Sequence, residues 1–251
     1  MKINNLLIIF CFLVLVMGGS IDAMEQPFPA ETIPTHAGPL NITFFGHGSL
    51  MFTFNKLMIQ VDPYSAVADY SKLPPADLIL ITHEHQDHLD PGALSQIRTA
   101  KTQLVLTAAC AEKVSGGKVM ANGESQTIDG IKIEAVPAYN IEHKRADGTP
   151  FHPKGRGNGY VLTFGNKRVY VAGDTENIPE MKQLKDIDVA FLPMNLPYTM
   201  TPDMVAEAAK MIKPRVLYVY HFNPEVTDFF TRLSNLMKGV GGVELRLPNK
   251  K

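Results

Sequence analysis

The chain has no tryptophan, two cysteines, no run of lysine or arginine, and no apolar stretch longer than twelve residues. Each scarcity removes a class of protein. Twelve apolar residues, Leu6 to Met17, fall short of the ~20 that span a bilayer, so a stable membrane anchor is not expected. The 24 basic and 25 acidic residues leave a formal net charge of −1, without the basic footprint of a dedicated nucleic-acid binder. Cys11 and Cys110 are too few for a disulfide framework or a multi-cysteine zinc site.

The apolar stretch follows Lys2 and precedes the small-residue segment Gly18 to Ala23, the plan of a secretory signal. Residues 1–23 are therefore expected to be a signal peptide removed on export, to the periplasm or beyond. That would leave Cys110 as a lone thiol in the core. Residues 24–40 are rich in proline, threonine and glutamate, show no periodicity, and read as an N-terminal arm. In a chain that is 45% hydrophobic, residues 41–251 suit one α/β domain.

What is abundant is ligand chemistry. Thr82-His83-Glu84-His85-Gln86-Asp87-His88-Leu89 places three histidines and an aspartate within six residues. The cluster follows the apolar run Leu78 to Ile81, a buried strand by its length, and precedes Asp90-Pro91, an N-cap with proline at the first helical position. It thus sits on a loop at a strand end. His83 and His85 are two apart and project to the same side of extended backbone, while a turn through Gln86 can aim Asp87 and His88 at a neighbouring point. One loop could serve two adjacent metals.

Polar residues recur at strand ends along the chain. Asn41–Phe45, Leu50–Phe54 and Leu57–Val61 read as strands; Gly46-His47-Gly48 turns between the first two, and Asp62 ends the third. Pro91–Arg98 and Ala108–Val114 suit short helices around a strand at Gln103–Leu106. Lys118–Glu124, Gln126–Ile128 and Ile131–Val136 read as strands, the last two joined by Asp129-Gly130. The loop Ile141 to Asn158, with His143, His152, Lys154 and Arg156, is long for an idle connection. Tyr160–Phe164 and Lys167–Ala172 form a hairpin ending in Gly173-Asp174. After the strand Ile187–Leu192, Thr201-Pro202 opens a helix with Val205, Ala208, Ala209 and Ile212 on one face. Arg215–Tyr220 is a strand ending on His221, and a helix from Asn223-Pro224 and a strand at Val243–Leu247 close the chain. Ligand types offered from several strand ends toward one sheet edge would assemble a single site.

On these residues the chain resembles the metallo-β-lactamase superfamily, over residues 41–247: the His-x-His-x-Asp-His cluster after a strand, Gly173-Asp174-Thr175 after a later one, and His221 after a third. Gly46-His47-Gly48, Asp62-Pro63-Tyr64, Pro137-Ala138-Tyr139-Asn140 and Phe151-His152-Pro153-Lys154 make it similar to a subgroup of small metal-dependent hydrolases that includes ascorbate-phosphate lactonase-like enzymes. The resemblance implies a four-layer αββα sandwich with the site on the edge between two sheets. It also implies two metals, with His83 and His85 on the first, Asp87, His88 and His221 on the second, and Asp174 bridging. The family commonly has a further histidine on the first metal, where this chain has Tyr139-Asn140. His152 is expected to replace it, with His143 and Asn140 as alternatives.

Imidazole and carboxylate without thiolate suit Zn²⁺, with Mn²⁺ or Fe²⁺ as alternatives. The expected enzyme is a hydrolase using a metal-bound hydroxide, with Asp87 orienting the nucleophile and accepting its proton. Asp62 is placed to hold a ligating imidazole by its second N–H, and His47 to reach the same loop. Tyr139 or Tyr198 would stabilise an oxyanion, and Lys154 or Arg156 would bind an anionic group of a small substrate. A lactone or other carboxylic ester is the first expectation. Phosphodiesterase or nuclease action, β-lactamase action and a non-catalytic exported metal-binding protein are the alternatives. The nuclease reading lacks an inserted binding domain, and Asp174 stands where many β-lactamases of the family carry a metal-binding cysteine.

Overall fold

The computed structural model describes residues 28–247 except 224 and 226. The expected signal segment, residues 1–23 with Cys11, lies outside the described residues. No helix among the described residues is long and apolar enough to cross a membrane.

Two seven-stranded sheets are built on one plan, each from one half of the chain. In the first, β1 (Ala30–Thr35), β2 (Gly38–Gly46), β3 (Ser49–Phe54) and β4 (Leu57–Val61) form an antiparallel meander. Three strands, β5 (Leu78–Leu80), β6 (Gln103–Leu106) and β7 (Lys118–Val119), then add in parallel, the first two separated by α1 (Pro91–Ile97) and the last two by α2 (Ala108–Ala111). The second half repeats this. A meander of β8 (Ser125–Ile128), β9 (Ile131–Ala138), β10 (Gly157–Phe164) and β11 (Lys167–Val171) precedes the parallel β12 (Val189–Met194), β13 (Val216–Phe222) and β14 (Glu244–Arg246). Helices α3 (Pro202–Ile212) and α4 (Thr227–Met237) fill the last two crossovers.

The period-2 alternation of strands decides which residues meet between the sheets. Leu78 and Leu80 of β5, with Val189 and Phe191 of β12, join one core between the sheets. Ile79 and Ile81 face outward onto Ala93, Leu94 and Ile97 of α1, while Ala190 and Leu192 face α3 and α4. Both faces of the central strands are thus covered, which is why they read as unbroken apolar runs. The order of layers is helix, sheet, sheet, helix. Helix α1 starts where Asp90 accepts from the N–H groups of Gly92 and Ala93, and α3 where Thr201 accepts from Met204 N–H.

Three sequence expectations are corrected. Residues 30–40, read as part of an aperiodic arm, are β1, a turn and the start of β2; β1 is an edge strand, where proline is tolerated, and its half-buried positions Glu31, Ile33 and Thr35 alternate with exposed ones although only Ile33 is apolar. The strand expected over 118–124 stops at Val119, because residues 121–124 turn back with Ala121 N–H bound to Glu124. The last helix begins at Thr227 rather than directly after Asn223.

Candidate metal centre

The loops that follow β2, β4, β5, β9 and β11 meet the end of β13, which carries His221, at one edge of the two sheets. Three residues there, His47, Asp62 and His221, hold positive φ angles of 49°, 45° and 46°. For a side chain other than glycine this costs about 1–2 kcal/mol each, and such strain gathers at functional sites. Gly173, just before Asp174, also has positive φ, and a Cβ there would lie 2.8 Å from the Asn158 carbonyl oxygen. Only glycine lets that loop pass so close to the backbone of β10.

Two groups of ring nitrogens converge. In the first, His83 Nε2 and His85 Nδ1 are 3.0 Å apart, and His152 completes a set of three with them. In the second, His88 Nε2 and His221 Nε2 are 3.0 Å apart, with Asp87 Oδ2 3.7 Å from the former and 3.5 Å from the latter. Asp174 stands between the groups. Its Oδ2 lies 3.2 Å from His152 Nε2, 3.5 Å from His221 Nε2 and 4.0 Å from His83 Nε2, and its Oδ1 lies 3.5 Å from His88 Nε2.

The nitrogens that face away from the centre are held. Buried Asp62 accepts from Thr82 N–H at 2.8 Å and from the Thr82 hydroxyl at 2.6 Å, and its Oδ2 is 2.7 Å from His88 Nδ1. The same hydroxyl oxygen is 3.0 Å from His83 Nδ1. An ionised carboxylate only accepts, so His88 donates from Nδ1; the Thr82 hydroxyl, having given its proton to Asp62, accepts from His83 Nδ1. Both rings thereby turn Nε2 inward, toward the centre. His152 is fixed alike, with Nδ1 2.6 Å from Asn140 Oδ1.

Charge follows from this enclosure. Burial, reinforced by neighbouring His88, keeps the pKa of His83 well below the ordinary histidine value, and burial with His152 does the same for His85, so both stay neutral. Burial works against ionisation of Asp174 and Asp87, yet the surrounding histidines hold both carboxyls below the usual range. His88 goes the other way. Burial disfavours its charge, but Asp174 and Asp62 outweigh that and raise its pKa to about 9.

The fit to a cation rests on Asp174. Its Oδ1 is buried with no hydrogen-bond partner among the described residues, and an ionised oxygen left so would cost several kcal/mol. The inward nitrogens of His83 and His85, 3.0 Å apart on rings kept neutral, and that of His88 once its proton is expelled, are donors of the kind a cation takes. Divalent ions held by nitrogen and carboxylate oxygen would satisfy all of them.

Other expected residues lie elsewhere. Asn140 uses its oxygen on His152 and its amide N–H groups on Glu176 and the Tyr198 carbonyl, so it orients a ligand type rather than being one. His143 turns Nδ1 to Glu176 at 3.0 Å. The Tyr139 hydroxyl and Lys154 are both engaged by Glu180, at 2.9 Å and 2.7 Å, and so are drawn off from the oxyanion and anion-binding roles expected of them. Tyr198 packs its ring edge-on against Phe151. Arg156 lines the small cavity beside His83, His85 and His152, with Phe151 and Pro153, and pairs there with Glu84 at 2.7 Å.

Sequence reasoning missed Glu176 and Asn195. The Glu176 carboxylate accepts from the N–H groups of Ile141, Glu142 and His143 and from Asn140, which ties down the start of the long loop. Asn195, at the end of β12, sets its side-chain amide 3.3 Å from His221 Nδ1. Its place at a strand end was the available signal.

Comparisons with known proteins place the chain in a family. Residues 41–221 match the beta-lactamase superfamily domain. The chain is 32% identical over 197 residues to a UPF0173 metal-dependent hydrolase of Pyrococcus abyssi, covering 73% of this chain and 85% of that protein. A UPF0173 metal-dependent hydrolase of Ligilactobacillus salivarius is 31% identical over 217 residues, with 79% and 95% covered. A solved structure from Parabacteroides distasonis, assigned as a metal-dependent hydrolase, superposes with a TM-score of 0.83 at 47% identity, covering 89% of this chain and all of that one. Igni18, a metallo hydrolase of Ignicoccus hospitalis, gives a TM-score of 0.65 at 25% identity, with 84% and 96% covered.

Proposed function

Because this chain belongs to the metallo-β-lactamase superfamily, among its UPF0173 metal-dependent hydrolases, we propose that it is a two-metal hydrolase of lactones or other carboxylic esters. The observation that carries the reading is buried Asp174, ringed by His83, His88, His152 and His221 with one oxygen unsatisfied. His83, His85 and His152 would hold one ion, Asp87, His88 and His221 the other, and Asp174 both. Zinc suits this donor set, with manganese or iron as alternatives.

When bound, such ions lower the pKa of water from 15.7 to about 7 and polarise a carbonyl oxygen. The chain supplies the rest. Asp62, Thr82 and Asn140 fix the imidazole tautomers, so no donor has to reorganise when substrate arrives. Asp87 is the half-exposed carboxylate of the centre, on the side from which water arrives, which suits it to orient the attacking water. Against burial, hydrogen bonds to His221 and His47 keep its pKa low, so it would accept the proton only as the attack takes place. Arg156 stands beside Phe151 at the small adjoining cavity and would bind an anionic group of a substrate only by leaving its pair with Glu84.

The test is metal content together with turnover of a generic ester, a lactone, a chromogenic phosphodiester and a cephalosporin. About two divalent ions per chain are expected, with ester or lactone hydrolysis that Asp87→Ala and His85→Ala abolish while the far-ultraviolet spectrum is kept. Full activity after complete metal removal would refute the mechanism. Turnover of the phosphodiester alone would move the substrate class. We also propose that the enzyme is exported, on the support of the apolar stretch Leu6 to Met17. Protein recovered from its host should then begin between Gly19 and Met24, and an intact Met1 would count against it.

A further inference from the structure

The turn between β2 and β3 contributes no residue to the donor set assigned above, yet it touches three members of one half of that set. His47 Nε2 lies 2.7 Å from Asp87 Oδ2. The carbonyl oxygen of His47 accepts the His221 backbone N–H at 2.8 Å. The His47 ring also lies against the His221 ring, with centroids 3.8 Å apart and planes 41° to one another. Beside it, Gly48 fits against His88 so closely that a Cβ would meet His88 Cε1 at 2.8 Å. To make these contacts His47 takes a strained φ of 49°.

Resting on the two-metal reading, we infer that His47 is a positioning residue for the second metal position, holding Asp87 and His221 in place without binding the ion itself. Two observations separate bracing from ligation. His47 Nε2 stands at direct hydrogen-bond distance from Asp87 Oδ2, 2.7 Å, whereas the Nε2 atoms of His88 and His221 stand 3.7 and 3.5 Å from the same oxygen, the wider spacing of donors grouped round an ion. In addition, although His47 falls within one group of possible donors with Asp87, His88 and His221, His88 and His221 both bring Nε2 to 3.5 Å from Asp174, the carboxylate shared with the first metal position, whereas among the described residues the one carboxylate within 4.0 Å of a His47 ring nitrogen is Asp87. The brace acts through side chain and backbone at once. The bond to Asp87 sets the direction of a carboxylate that is otherwise on the open side of the centre, and the carbonyl bond fixes the backbone from which His221 projects.

Two variants divide the possibilities. Asparagine tolerates positive φ but is too short to reach Asp87, while glutamine can place an amide N–H near the position of Nε2. The metal-free proteins are loaded with Co²⁺, and uptake is followed by competition with a chromophoric chelator and by the visible absorption of the bound ion. His47→Asn should weaken the second Co²⁺ by about 10- to 100-fold, the range for loss of a group that orients a ligand. It should leave the first ion unchanged. His47→Gln should stay within a few-fold of wild type with the wild-type band positions. Wild-type affinity and spectrum in His47→Asn would overturn the inference. So would a His47→Gln protein that loses the ion with a shifted spectrum, since the imidazole nitrogen would then be a ligand. A wild type that takes up no Co²⁺ or Zn²⁺ would bring down the two-metal reading and this inference together.

Discussion

His88 carries the sharpest pH signature of any residue in the centre. With its pKa raised to about 9 by Asp174 and Asp62, it is an imidazolium at neutral pH in the metal-free protein, filling the place of a cation. A metal must expel that proton to use Nε2. Binding at pH 7 should therefore release a proton, seen as a heat that varies with the ionisation enthalpy of the buffer, and affinity should rise with pH up to about 9. The sign for stability is opposite. A raised pKa adds stability that is full below the ordinary histidine value of about 6.5 and is lost as pH rises through about 9. The melting temperature of metal-free protein should fall across that window, and that of metal-loaded protein should not. A buffer-independent binding heat would contradict the assignment of His88.

The loop between β9 and β10 tests the origin of the first metal position. Glu176 gathers three of its N–H groups and Asn140, and Asn140 in turn holds His152 by both its backbone N–H and Nδ1. The loop is therefore tied inward before any ion arrives. His152→Ala should lower metal content toward one ion per chain, measured by atomic emission, while His143→Ala, which faces Glu176, should change it little. Equal metal content in both variants would sink the assignment. This element also marks how far the sequence could be read. The His83–His88 cluster, Asp174 and His221 were legible because a ligand-type residue after an apolar run is a local pattern. The choice of His152 over His143 was only a preference, since it depends on Glu176 and Asn140, through contacts 12, 33 and 36 residues apart that no local pattern encodes. Strand β1 was missed for a related reason: two of its three half-buried positions are Glu31 and Thr35, so no apolar alternation shows in the sequence, and its existence is decided by pairing with β2.

At the scale of the molecule, the two halves repeat one plan, and each proposed metal position draws on both: His83 and His85 with His152, and Asp87 and His88 with His221. Ions bound there would be linked to the association of the halves as well as to local order. Adding metal at 100 times its dissociation constant should raise stability by about 2.7 kcal/mol per site, read as a melting temperature that climbs with metal concentration. A melting temperature indifferent to metal would mean that the centre is not formed across the sheets. The repeat also fixes what would follow from cutting the chain at the turn Asn122-Gly123, where the first sheet ends and the second begins. One piece would keep His83, His85, Asp87 and His88, the other His152, Asp174 and His221, and neither would own a complete coordination sphere. Hydrolysis would then appear only on mixing, with a steep dependence on both pieces and on metal, so the same architecture that builds an enzyme from one chain would serve as a reporter of two chains meeting.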